Sequence, residues 1–280
     1  MKVAIGMFVT GYSVDVVTLA KRAEALGFES LWVPEHPVIP VHMTTPFSGG
    51  GPLPEQYKHL LDPLVGLAAA AGATEKLRLG TGICLIPERN PIITAKEVAT
   101  LDLVSNGRFE FGIGAGWLKE ETELLGGDFP RRWTQTREHI LAMKALWAEG
   151  EAEFHGKYVD FPKLWCSPKP VQKPNPPILI AGELEKAASR VAEYGDGWFP
   201  RGRNSTPQSL EEGRRKIEGL YKERGRDTSS LTVSLFGATA EKESNRAYGD
   251  AGADRVIHML PSEGEETILP MLEKMAADLL

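Results

Sequence analysis

Eight times along 280 residues, a short run rich in β-branched residues is followed by a longer amphipathic stretch, and glycines gather where several of the short runs end. Alternation of this kind predicts a parallel sheet with helices packed outside it. Eight units in a chain of this length predict a single (β/α)8 TIM barrel, with a long loop after strand two and a small hairpin excursion between strands four and five. With 42% hydrophobic and 25% charged residues, the chain has apolar material for one large core.

Val3 to Met7 reads as the first strand, and Val14 to Leu26 as a helix ended by Gly27, which can adopt a left-handed cap. Ser30 to Val33 makes strand two. A Pro-, Gly- and polar-rich segment from Pro34 to Leu60 follows, and connections this long inside a compact domain are usually functional or disordered. The helix Pro63 to Ala73 precedes strand three, Leu77 to Leu85. The helix Ile92 to Val104 precedes strand four, Phe109 to Gly114. Helical patterns at Lys119 to Leu125 and Thr136 to Ala148 lead to a hairpin over Glu153 to Phe161. Strands five to eight are Ile178 to Ala181, Gly197 to Phe199, Thr232 to Phe236 and Arg255 to His258. Helices Leu184 to Glu193, Leu210 to Arg224, Asn245 to Asp250 and Glu266 to Asp278 alternate with them. The Pro-rich run Ser167 to Pro177 would be a linker in a two-domain protein, but neither half holds a complete sheet, so residues 1–280 read as one domain.

Net charge narrows the partners. A formal charge of -6 leaves no basic excess for a nucleic-acid backbone. Two cysteines without C-x-x-C spacing cannot build a disulfide framework, which fits a reducing compartment and a cytoplasmic enzyme. Met1 to Gly6 is too short an apolar run for a signal peptide, and no segment approaches the ~18 apolar residues of a membrane span.

In such a barrel the chemistry sits at the C-terminal ends of the strands. Strand two ends in Pro34-Glu35-His36-Pro37, where His36 is either a proton partner near neutral pH or a loop histidine bonded to a carbonyl. Glu35 reads as a structural carboxylate. The glycines of Gly80-Thr81-Gly82-Ile83 weaken a central strand, which marks a bulge, the approach of another molecule, or packing against a helix. Strand four ends in Gly112-Ile113-Gly114-Ala115-Gly116-Trp117. Trp117 stands where a dinucleotide fingerprint needs its third glycine, so what remains is exposed backbone at a helix start, able to bind an anion. Ala181-Gly182-Glu183 offers a second such terminus, although the Glu183 carboxylate opposes an anion; Arg201 and Arg203 can supply positive charge. No H-x-H, H-E-x-x-H or G-x-S-x-G spacing occurs, so metal and serine catalysis have no visible basis, and Cys84 lies in an apolar strand.

Several stretches together resemble the bacterial luciferase-like monooxygenase superfamily, and within it the probable coenzyme F420-dependent oxidoreductases. They are Ala23 to Val33, Leu77-Arg78-Leu79-Gly80-Thr81-Gly82, Asn90-Pro91 through Ala95-Lys96 to Leu101-Asp102, and Ser105-Asn106-Gly107-Arg108. Gly112 to Trp117, Pro168 to Gln172 and Gly195-Asp196-Gly197-Trp198 complete the set. The resemblance implies a barrel that binds F420 or FMN at the strand ends, usually as a homodimer, with a separate flavin reductase if the cofactor is FMN. It implies a bulge with a non-prolyl cis peptide at Gly82-Ile83 against the flavin ring, and His36 bonded to the ring's reactive edge or to substrate. Gly114, Gly116 and Trp117 would line the cofactor cleft, and Ala181, Gly182 and Glu183 would approach the phosphate. Relatives commonly carry Gly-Gly at Gly182-Glu183. Relatives acting on sugar phosphates place an acid at Trp117, so a small apolar or aromatic substrate is expected here, with Trp32 and Phe47 as neighbours. The expected function is a flavin- or deazaflavin-dependent oxidoreductase, by F420 hydride transfer or FMN-dependent oxygenation. The alternatives are a non-catalytic flavin-binding relative and a cofactor-free barrel hydrolase.

Overall fold

A computed structural model describes residues 1–280. The strands are β1 (Lys2–Met7), β2 (Ser30–Val33), β3 (Arg78–Thr81), β4 (Cys84–Leu85), β5 (Phe109–Gly114), β6 (Ala152–His155), β7 (Asp160–Leu164), β8 (Ile178–Ala181), β9 (Gly197–Phe199), β10 (Thr232–Phe236) and β11 (Arg255–Leu260). Sheet order β3-β2-β1-β11-β10-β9-β8-β5-β4, with β3 also paired to β5, closes a parallel barrel. The two short segments β3 and β4 form one stave broken at Gly82-Ile83, whose peptide bond is cis. The expected third strand is therefore divided at its glycine. β6 and β7 make the antiparallel hairpin outside the barrel.

The helices are α1 (Val16–Leu26), α2 (Pro63–Ala73), α3 (Pro91–Val104), α4 (Lys119–Leu124), α5 (Arg132–Trp147), α6 (Leu184–Tyr194), α7 (Pro207–Glu223), α8 (Lys242–Asp250) and α9 (Glu265–Leu279). Their starts follow local chemistry. Asp15, Asp62 and Asn90 accept the free N–H groups of α1, α2 and α3. Thr206 and Ser209 form a reciprocal cap that starts α7 at Pro207, earlier than its apolar periodicity indicates. Gly27 ends α1 at φ 93°.

One apolar core lies between sheet and helices, and a smaller one, Ala4, Trp32, Leu179, Phe199 and Ile257, fills the barrel. Trp32 is wholly buried there, with its ring 5.1 Å from Phe199 and its indole N–H donating to Ser30 at 2.8 Å. It is a barrel core residue and, against expectation, does not line the cavity over the strand ends. The alternation of a strand turns it inward, and a Cβ on Gly80 would collide with its ring, so Gly80 is a packing glycine. Below it, at the N-terminal ends of the strands, Arg255 donates to Glu29 and Glu110, and Arg78 pairs with Glu110.

Candidate active site

The C-terminal ends of the strands surround a cavity of about 550 Å³. Its floor is backbone: Gly82, Ile83, Gly114, Gly116, Ala181 and Gly182. Gly116 has φ 76°, and a Cβ there would press on the Glu88 carboxylate at 2.7 Å. Aromatic rings form the walls. Phe47 and Trp117 meet edge to face at 5.5 Å, Phe47 meets Tyr57 at 5.2 Å, and Tyr57 lies 5.2 Å from His36. Trp117 thus has the expected Phe47 beside it. Arg201, Arg203, Asn204, Ser205 and Ser209, around the start of α7, line the same cavity.

The long loop after β2 closes one side, and its backbone is tied at several points. Glu120 of α4 accepts from the Thr44 N–H and hydroxyl, both at 2.6 Å, and from the Thr45 N–H at 3.1 Å. These bonds, the Thr44 hydroxyl foremost, hold the Glu120 carboxyl well below the usual carboxylate range. Arg203 donates to the Ser48 carbonyl at 3.1 Å, and Leu60 bridges Thr10.

His36 sits at the mouth of β2 with its side chain 6% exposed. Nδ1 lies 2.6 Å from Oε2 of Glu121, a side chain with no exposure at all, and the Trp117 indole N–H donates to Nε2 at 3.2 Å. The other Glu121 oxygen accepts from the Val38 N–H at 3.3 Å. Glu35 is structural, as its position suggested: it accepts from the Leu85 N–H and from Arg89, both at 2.6 Å. Behind Glu121, Glu88 takes the Thr122 hydroxyl at 2.8 Å on one oxygen and has no partner on the other. Burial first, and then the Glu121 charge, push the Glu88 carboxyl up to about 8. Burial likewise pushes the Cys84 thiol up, consistent with an inert structural cysteine.

All nine residues singled out in the sequence, His36, Gly82, Ile83, Gly114, Gly116, Trp117, Ala181, Gly182 and Glu183, line this one cavity. Glu183 caps α6 without a side-chain bond to it, and its charge acts on Arg201. Sequence reasoning missed Glu121, Glu88, Tyr57 and Ser209. Only the capping pattern of Thr206 to Ser209 carried a signal, because the others gain their role from partners distant in the chain.

The fold and site together define a closed (β/α)8 barrel with a glycine-floored, aromatic-walled cleft over its strand ends. Residues 10–258 match the family described as luciferase-like monooxygenase. The chain belongs to that family. An uncharacterised protein of Mycobacterium tuberculosis is 34% identical over 285 residues, covering 100% of this chain and 99% of its own. The oxygenase component of a flavin-dependent trigonelline monooxygenase from Acinetobacter baylyi is 32% identical over 169 residues, 60% of this chain and 42% of that one. An F420-dependent secondary alcohol dehydrogenase, solved with an F420-acetone adduct, superimposes with TM-score 0.77 at 20% identity, covering 100% of this chain and 98% of that one.

Proposed function

We propose that the chain is a flavin- or deazaflavin-dependent oxidoreductase that holds F420 or FMN in this cleft and acts on a small apolar or aromatic organic substrate. The observation that carries the reading is the cleft's lining. Strand-end backbone and apolar rings share one cavity with His36, two arginines and a helix start, a combination that suits a planar ring with an anionic tail. Gly82, Ile83, Gly114 and Gly116 would lie under the ring, Trp117 beside it, and Ala181, Gly182, Glu183, Arg201 and Arg203 near the phosphate. Arg201 has no side-chain hydrogen bond within the protein, which leaves its guanidinium available to an anion.

The cofactor, when bound, supplies the redox step. The protein's part is to bind, to exclude water with the loop from Pro34 to Leu60, and to manage a proton at His36 Nε2. Trp117 and Phe47 narrow the entrance and favour a flat, apolar substrate.

The relative that is an oxygenase component supports a separate reductase as partner should FMN be the cofactor. A homodimer is also part of the proposal. The adjacent helices α2 and α3 leave Val65, Ile93, Leu103 and Val104 exposed, an apolar face that a second copy would cover. No helix is long and apolar enough to cross a membrane, and both cysteines are free, in keeping with a cytoplasmic setting. Titration with FMN and, separately, F420, followed by absorbance and fluorescence, tests the reading. Saturable binding of one at micromolar levels is expected; binding of neither overturns it.

A further inference from the structure

The two ring nitrogens of His36 have partners whose chemistry leaves no choice of role. An indole N–H can only donate, so Nε2, 3.2 Å from Trp117, must present its lone pair. The proton of the neutral ring then sits on Nδ1, 2.6 Å from Glu121 Oε2, and is donated to that carboxylate. Glu121 is itself held: its other oxygen accepts from Val38 N–H on the loop that carries His36. The side chain is fully buried on α4, 85 residues from its partner in sequence.

We propose that Glu121 and Trp117 are positioning residues that set His36 as the neutral Nδ1–H tautomer and keep an acceptor lone pair at Nε2, capped by the indole until a ligand displaces it. The catalytic meaning rests on the reading of this cleft as the redox site; the tautomer itself does not. A ligand O–H or N–H that takes the place of the indole meets an acceptor. When that proton passes to Nε2, the ring becomes a cation whose charge lies against Glu121, and the displaced Trp117 N–H can no longer return to Nε2. The site therefore favours substrates that present a hydrogen-bond donor to His36, a selectivity independent of their apolar remainder.

By the same geometry, glutamine at position 121 is expected to disturb the site. An amide has one oxygen for two donors, the His36 Nδ1–H and the Val38 N–H. Whichever donor it leaves facing the NH2 group, either the ring tautomer or the loop bond is lost.

The test is nitrogen NMR of the apoprotein labelled at its histidine side chains, with His36→Asn identifying the signals of this ring. The wild type is expected to show a protonated Nδ1 and an unprotonated Nε2, opposite to the usual preference of a solvated neutral histidine. Trp117→Phe should retain that tautomer, because Glu121 remains. Glu121→Gln, which keeps the indole as donor to Nε2, should weaken the Nδ1–H preference, and Glu121→Gln combined with Trp117→Phe should shift the ring to the Nε2–H form. In turnover assays, Glu121→Gln should lower kcat roughly 10- to 100-fold with KM changed less than about threefold. Glu121→Asp should recover part of that loss. A wild-type ring protonated at Nε2, a Trp117→Phe ring that loses the Nδ1–H form, or a double variant that keeps it overturns the proposal. Should Glu121→Gln fail to fold, the wild-type and Trp117→Phe spectra decide it. None of the spectra needs a cofactor, so failure of FMN and F420 to bind would remove the proposed function and leave this assignment to stand or fall alone.

Discussion

His36 and the acids behind it differ in what their loss should do. Removing the ring with His36→Ala should lower kcat roughly 10²- to 10⁴-fold while cofactor affinity stays within a few-fold, measured by steady-state kinetics beside a binding titration. Equal loss of both would reassign His36 to binding. Glu88 predicts a signature in stability. Its carboxyl titrates at about 8 when folded, against an ordinary value of 4.5. The folded state therefore holds a proton that the unfolded chain has released. Stability from this group is complete below about pH 4.5 and declines as pH rises toward 8, by up to about 1.4 kcal/mol per pH unit. Glu88→Gln, a neutral isostere, should flatten that decline in urea midpoints taken from pH 5 to 9. Glu121 shows why residue roles were only partly legible in sequence. In Lys119-Glu120-Glu121 it is one acid among several on a short helix, and only tertiary folding reveals that one neighbour clasps the loop while the other meets a histidine.

At the scale of elements, strands are closely legible because β-branched runs bounded by glycine and proline carry their own signal. β5, β8, β9 and β10 fall on the expected residues. Helix starts were less legible where a cap, not an apolar stripe, decides them, as at α7. Trp32 misleads in sequence for a related reason. A tryptophan four residues before His36 looks close to the site in sequence, yet strand alternation sends it into the barrel. The helices α2 and α3 carry a further expectation. Ile93 is 57% exposed and Val65 72%, on helices apolar enough to need cover. Ile93→Glu should convert a dimer to a monomer in light scattering, with the far-UV circular dichroism unchanged; a monomeric wild type would remove this interface.

At the scale of the whole molecule, the barrel keeps stability and chemistry at opposite ends. Burial alone would raise the Glu29 carboxyl, but its hydrogen bonds to Arg255 outweigh that and hold it at about 2. Arg255→Ala would leave Glu29 with Lys2 alone and Glu110 with Arg78 alone as cationic partners, and should cost about 3 kcal/mol in urea denaturation. Cofactor affinity of the folded fraction should be unchanged, because the cleft lies across the barrel. The closed barrel was legible from eight repeated units. The buried ring of charge beneath it was not, because its members are scattered from Glu29 to Arg255 and meet only when the sheet closes.

The bond between Trp117 and His36 gives the protein an optical reporter of its own. An excited indole loses energy readily to a cationic imidazole and much less to a neutral one that accepts its N–H. Emission from Trp117, isolated as the difference between wild type and Trp117→Phe, should therefore dim as His36 gains a proton and change again when a ligand displaces the indole. Proton transfer at this site would then be visible as light, in the native protein and without a label.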